Sequence, residues 1–179
     1  MEAPRYRSEP ISRQTLRNIA HAVRCALGLS KIIYFPILQI LDCVHLFVPG
    51  SNYEILPADK MEKHAEIDVV KKTIYIREDI YLGACNGNGR DRMTISHEFS
   101  HLILINVLGF KFSRTFSNKK LKAYEDPEWQ AKCLAGELMM NSELILGMDA
   151  NEIVSNCGVS KDAAEFQLSR NKKDAPFLK

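Results

Sequence analysis

The sequence predicts an α+β fold that is mainly helical, with a small antiparallel sheet and a helical C-terminal segment. Three observations carry this. Apolar residues recur at three- and four-residue intervals through most of the chain. Two short runs near the middle alternate apolar and polar instead. Between them and the C-terminus, His97-Glu98-Phe99-Ser100-His101 reads H-E-x-x-H inside a stretch of helical periodicity.

The elements follow in order. Leu16, Ile19, Ala20, Val23 and Leu27 predict a helix over Ser12 to Leu27, ended by Gly28. A second helix opens at Pro36, since proline suits a first turn, with Ile37, Leu38, Ile40, Leu41 and Val44 as its apolar face. Pro49-Gly50-Ser51-Asn52 is turn chemistry. Ala65 to Val70 and Thr73 to Arg77, separated by Lys71-Lys72, are the strand candidates of a half-exposed antiparallel sheet. Asp79 to Leu82 begins a short helix, and Gly87-Asn88-Gly89 is a flexible lead-in to the next one. That helix is capped by Asp91, buries Ile95, Phe99 and Leu102, and ends at Gly109. A basic, polar connection over Lys111 to Lys122 leads to Asp126-Pro127-Glu128, a cap followed by a first-turn proline, which starts a helix running to about Met140. Glu152 to Cys157, Gly158-Val159-Ser160 and Lys161 to Arg170 make a helical pair, helix-turn-helix-like in outline.

Composition bounds the rest. With 179 residues, 46% hydrophobic and 26% charged, the chain can bury a core of its own. A net charge of +2 does not announce a nucleic-acid binder, and the five arginines against two glutamates in the first 24 residues suit a solvated helix face. Five cysteines without a C-x-x-C pair read as reduced thiols of a cytoplasmic protein. Met1 to Glu9 is too polar for a secretory signal. Ile32 to Val48, broken by Pro36, Gln39, Asp42 and His45, is too short and too polar to span a bilayer, so no membrane partner is expected.

Histidines four apart stand about 400° round a helix, roughly 40° from eclipsed, and about 6 Å apart along its axis. The imidazoles of His97 and His101 can therefore reach one metal ion from one face, at the roughly 2.0–2.1 Å that zinc prefers. Glu98, about 100° round from His97, can touch a water at that metal without being a ligand. Two nitrogen ligands and a carboxylate base are what metal-assisted peptide hydrolysis requires.

A catalytic zinc site needs one more protein ligand. The candidates are Glu125, Asp126, Glu128 and Glu137. Asp126 is engaged as the helix cap. Glu137 lies nine residues past Glu128, so about 900° round and on the opposite face. Glu128 sits in the first turn, where the helix dipole favours its ionised form. Ala131 and Ala135 follow on roughly the same face and let the two helices lie close. Glu128 is the expected third ligand.

Three blocks carry a resemblance to a known family. They are Gly87-Asn88-Gly89-Arg90-Asp91-Arg92-Met93-Thr94-Ile95-Ser96 leading into His97-Glu98-Phe99-Ser100-His101-Leu102-Ile103-Leu104, then Asp126 to Ala131, then Leu134 to Met140. Together they resemble the ImmA/IrrE-like zinc metallopeptidases, over roughly Ala65 to Asn141. The resemblance implies a zincin-like peptidase domain over residues 1–141, with residues 142–179 as a helical extension packed on it. It implies that His97, His101 and the glutamate three residues before Ala131, which is Glu128, bind Zn²⁺, and that Glu98 is the catalytic base. It also implies a protein substrate, a helix-turn-helix repressor or antitoxin-like partner encoded nearby, in a prophage, mobile element or stress response. The chain departs from the family pattern at Asn141, where a proline is usual, and at Ile105, where many members carry a histidine.

Other residues are weighed against this frame. His21, His45 and His64 are expected in packing roles. His64 or Tyr124 could stabilise an oxyanion, and the sequence does not choose between them. Trp129 reads as a core anchor. A DNA-binding regulator using the zinc fold as scaffold is the alternative function, as is a partner-binding module with vestigial catalysis. The intact Glu98 argues against the second. The near-cancelling charges of Lys161, Asp162, Glu165 and Arg170 make DNA contact weak at most.

Overall fold

The computed structural model describes residues 5–109, 111, 113–115 and 121–174. Part of the expected basic connection and the last five residues lie outside this set. Strand β1 (Arg5–Arg7) is followed by helix α1 (Arg13–Ala26). Ser12 caps α1 by accepting from the Thr15 amide at 3.0 Å, Leu16 and Ala20 are wholly buried, and Gly28 takes the left-handed conformation at φ 70°. Two short helices come next, α2 (Ile37–Asp42) and α3 (Val44–Phe47), with Pro36 at the N-cap of α2 instead of in its first turn. Most of the predicted apolar face is inside: Ile37, Ile40, Leu41 and Val44 are buried, and Leu38 is half-buried.

The main sheet is mixed, not purely antiparallel. Its order is β2 (Asn52–Leu56), β4 (Thr73–Arg77), β3 (Ala65–Asp68), with β2–β4 parallel and β3–β4 antiparallel. The hairpin is the expected pair, although β3 stops at Asp68, whose carboxylate accepts from the Val70 and Lys71 amides to make the turn. Ile74 and Ile76 of β4 are fully buried. Strand β2 starts inside the segment expected to be a turn. It is an edge strand that leaves Ile55 41% exposed, so its pattern lacks the apolar-in, polar-out contrast by which a strand is recognised. Tyr53 holds it, donating to Asp42 at 2.7 Å and stacking on Tyr81. A second sheet, two-stranded and antiparallel, pairs β1 with β5 (Ser113–Thr115).

Helix α4 (Glu78–Cys85) leads to α5 (Gly89–Leu102), whose spiral widens into a π-helical turn over Ile103–Val107 before Gly109. The cap of α5 is Asn88, which accepts from the Arg90 and Asp91 amides, and not Asp91. Asp91 is drawn into the first turn, packed so closely on Gly83 that a Cβ there would lie 1.9 Å from its carboxylate. Helix α6 (Pro127–Met139) is capped by Asp126 as its sequence indicates. Helix α7 (Ala150–Cys157) has a capping box between Asp149 and Glu152 and ends at Gly158, φ 63°; α8 (Lys161–Asp174) follows.

The core lies where α6 packs between α1 and α5. Ile95, Phe99 and Leu102 of α5 are fully buried there, as their spacing predicts. The C-terminal pair adds Ile153, Cys157, Val159 and Ala164 to the same apolar cluster. Arg92 fastens it to α5, donating to the Gly158 carbonyl at 2.9 Å, the Phe35 carbonyl at 2.9 Å and the Tyr34 hydroxyl. Gly89 is not a loose lead-in: a Cβ at this position would fall 2.2 Å from the Val159 carbonyl carbon. Among the described residues, no helix is long and apolar enough to cross a membrane.

Candidate metal centre

Three side chains from two crossing helices meet at one point. His97 and His101, one turn apart on α5, place their Nε2 atoms 3.2 Å from each other. Glu128, in the first turn of α6, brings Oε2 to 3.1 Å from His97 Nε2 and Oε1 to 3.3 Å from His101 Nε2. All the donor atoms lie within 4.8 Å of one another, and this is the one His/Cys/Asp/Glu group among the described residues that could hold a metal ion. Close approach of α5 and α6 makes it possible. Ala131 and Ala135 are buried at 0% and 1% exposure, so the helix that carries Glu128 lies against the helix that carries the histidines.

The donor set fits a divalent cation. Two neutral imidazole nitrogens and a carboxylate oxygen are the ligand types of an open, three-residue zinc site. Hydrogen bonds from His101 and then His97 hold the Glu128 carboxyl well below the usual carboxylate range, despite some desolvation. It is therefore anionic, as a ligand must be. Nδ1 of His97 is buried without a hydrogen-bond partner, which leaves Nε2 as the nitrogen this ring offers.

Glu98 stands outside the trio and lines the same cleft as His101 and Glu128, a space of about 630 Å³. Burial pushes its pKa up, with the nearby Glu128 adding to the shift and His97 opposing it. The opposite wall is the edge strand β3, through Ala65, Glu66 and Ile67. Lys63 sits at its start, paired with Glu66 at 2.7 Å and held in its charged form by that contact first, then by Glu98 and Glu128. Sequence reasoning missed Lys63 and Glu66. Their only signal is that Lys63 precedes a strand candidate and Glu66 lies in it, and which edge of the sheet turns toward α5 is a tertiary fact.

The remaining candidates lie elsewhere. Glu125 accepts from Arg7 at 2.5 Å, and Asp126 is occupied with the Glu128 amide. Glu137 is fully buried on the far side of α6, bound by Arg17, Gln167 and Ser142. His64 and Tyr124 are not among the residues lining the cleft, whereas Ile105 is. Trp129 is half-buried against the core.

A helix presenting two histidines and a carboxylate, crossed by a second that brings a third donor, is how metal-dependent hydrolases arrange catalytic groups. The family model for the IrrE N-terminal-like domain, Peptidase_M78, matches residues 52–169, and the chain belongs to this family. Its membership supports a function of metallopeptidase type. The match takes in the sheet, α4 to α7 and most of α8. No curated protein matches the chain.

Proposed function

We propose that the protein is a zinc-dependent endopeptidase that hydrolyses one peptide bond in a cytoplasmic regulatory protein, a helix-turn-helix repressor or antitoxin-like partner. His97, His101 and Glu128 are its metal ligands and Glu98 its catalytic base. The observation that carries the reading is the convergence of those three donors beside the cleft that Glu98 lines together with His101 and Glu128.

Zinc, when bound, supplies Lewis acidity toward the scissile carbonyl and lowers the pKa of water. Glu98 takes the proton from the attacking water, whose oxygen bonds to the carbonyl carbon. Glu98 then returns that proton to the amide nitrogen as the C–N bond breaks, so that one carboxyl and one amine are released. Among the described residues no strand pairs with the outer edge of β3 beside the cleft, and an extended peptide can add to it through main-chain hydrogen bonds. Lys63 places positive charge on the same wall. The five cysteines, none of them in a disulfide among the described residues, suit a reducing compartment.

The test is cleavage of a co-expressed candidate repressor, beginning with helix-turn-helix proteins encoded beside this chain. Wild type should cut it, and Glu98→Gln should keep its metal and melting temperature while losing cleavage, because an amide cannot accept the proton. Retained cleavage in Glu98→Gln removes Glu98 from the mechanism. Equal zinc in wild type and His101→Ala, measured by mass spectrometry, defeats the metal assignment.

A further inference from the structure

The three donors divide two spaces. His101 and Glu128 line the wide cleft, while His97 forms a wall of a second pocket of about 490 Å³ on its other side. Met93 on α5, Ala135 and Met140 at the end of α6, and Ala163 and Phe166 on α8 make up most of its apolar lining. That volume falls within the roughly 300–1,000 Å³ of ordinary ligand pockets. Its shape depends on small residues. A Cβ on Gly136 would come 3.2 Å from Gln167 Oε1, so glycine here lets α8 close the far wall. Met93 and Met140 give the rest of the lining the adaptability that suits apolar side chains of different shape. Exposed Arg90 and Lys132 add cationic groups to the lining against one acid, Asp162, and disfavour a basic occupant.

We propose that this pocket receives one large apolar side chain of the protein substrate (Leu, Met or Phe), from a residue beside the scissile bond. Helix α8 thereby sets cleavage specificity. The inference rests on the endopeptidase reading above. His97 belongs both to the donor cluster and to the wall of this pocket, so a residue beside a scissile bond held at that cluster lies next to the pocket. The C-terminal pair is then part of the substrate site, not an accessory to it.

Hydroxamates test this without any proteolysis, because they bind a metal directly and can carry one side chain into the pocket. Binding of acetohydroxamate, an isobutyl-bearing hydroxamate and an aminobutyl-bearing one to the zinc-loaded full chain is measured by calorimetry. The isobutyl group should tighten binding by at least about tenfold, the scale of burying a leucine side chain, and the aminobutyl group should give no such gain. Ala163→Trp, which fills the pocket, should abolish the isobutyl gain and leave acetohydroxamate unchanged. Phe166→Ala, at a side chain already 53% exposed and therefore safe for folding, should weaken that gain. No isobutyl gain in the wild type overturns the proposal, as does a gain that survives both substitutions. An isobutyl gain in a protein that cuts no peptide upholds the pocket and overturns the endopeptidase reading alone.

Discussion

Glu128 and Glu137 show how one residue type meets opposite surroundings on one helix. The Glu128 side chain is 62% exposed and faces two histidines, whereas that of Glu137 is wholly enclosed, with Arg17 donating to it at 3.3 Å and Gln167 at 3.0 Å. Removing each should produce opposite signatures. Glu128→Ala should release the metal with little change in the stability of the metal-free protein. Glu137→Ala should keep the metal and cost about 3–5 kcal/mol, because it removes a fully buried carboxylate that Arg17, Gln167 and Ser142 all bond. Zinc analysis together with urea unfolding of the chelated proteins separates the two, and metal loss in Glu137→Ala would contradict the placement. Their opposite faces are legible in the sequence because helical phase is arithmetic: nine residues carry a side chain half a turn away. The partners of Glu137 were not legible, since Arg17 and Gln167 come from α1 and α8, more than a hundred residues apart in sequence.

At the scale of elements, α5 begins where its neighbours permit. Gly89 lies against the Val159–Ser160 backbone, and the 2.2 Å approach that a Cβ would make cannot be relieved by turning a side chain. Gly89→Ala should therefore destabilise the fold by about 1–3 kcal/mol, as overpacking does. Asn88→Ala should cost about 1 kcal/mol through the lost cap. Thermal melts of both variants check this, and an unchanged melt for Gly89→Ala would show that the α7–α8 turn is not held against α5. The helices and the hairpin were readable because periodicity and caps are local. The helix start at Asn88 was not, as Asn88 and Asp91 are both good capping residues and tertiary packing on Gly83 and Val159 decides between them. Strands β1, β2 and β5 escaped for a related reason. They are short, and their pairing partners lie far off in sequence, apart from β2, whose exposed edge weakens its alternation.

For the whole molecule, the C-terminal pair behaves as core. Ile153, Cys157, Val159 and Ala164 are buried with the residues of α5 and α6, and burial raises the Cys157 thiol to about 11, which keeps it protonated and inert. A chain ending at Asn141 should fail to fold cooperatively, as read by circular dichroism and urea unfolding. A sharp transition in that truncated chain would instead make residues 142–179 a separable extension. The charges on the exposed side of α8 are partly engaged with neighbours on the same helix. Lys161 lies 4.0 Å from Glu165, and Arg170 stacks over Phe166. Duplex DNA should bind weakly and lose affinity steeply with salt, and fluorescence anisotropy showing sequence-specific binding tighter than about 10⁻⁸ M would point to a dedicated regulator.

The widened turn after the histidines has a consequence for chain length. The Leu108 amide bonds to the Ile103 carbonyl at 3.1 Å, five residues back, so this stretch holds one residue more than a regular α-helix would need. In effect it is an insertion absorbed in place, just beyond His101. Everything before it keeps its phase, and everything after it is turned by about 100° and advanced by about 1.5 Å. Deleting Val107 should return the spiral to regular geometry, leave zinc content at the wild-type level, and re-aim only the segment leading to Gly109. The protein can thus change length next to its reactive groups without moving them.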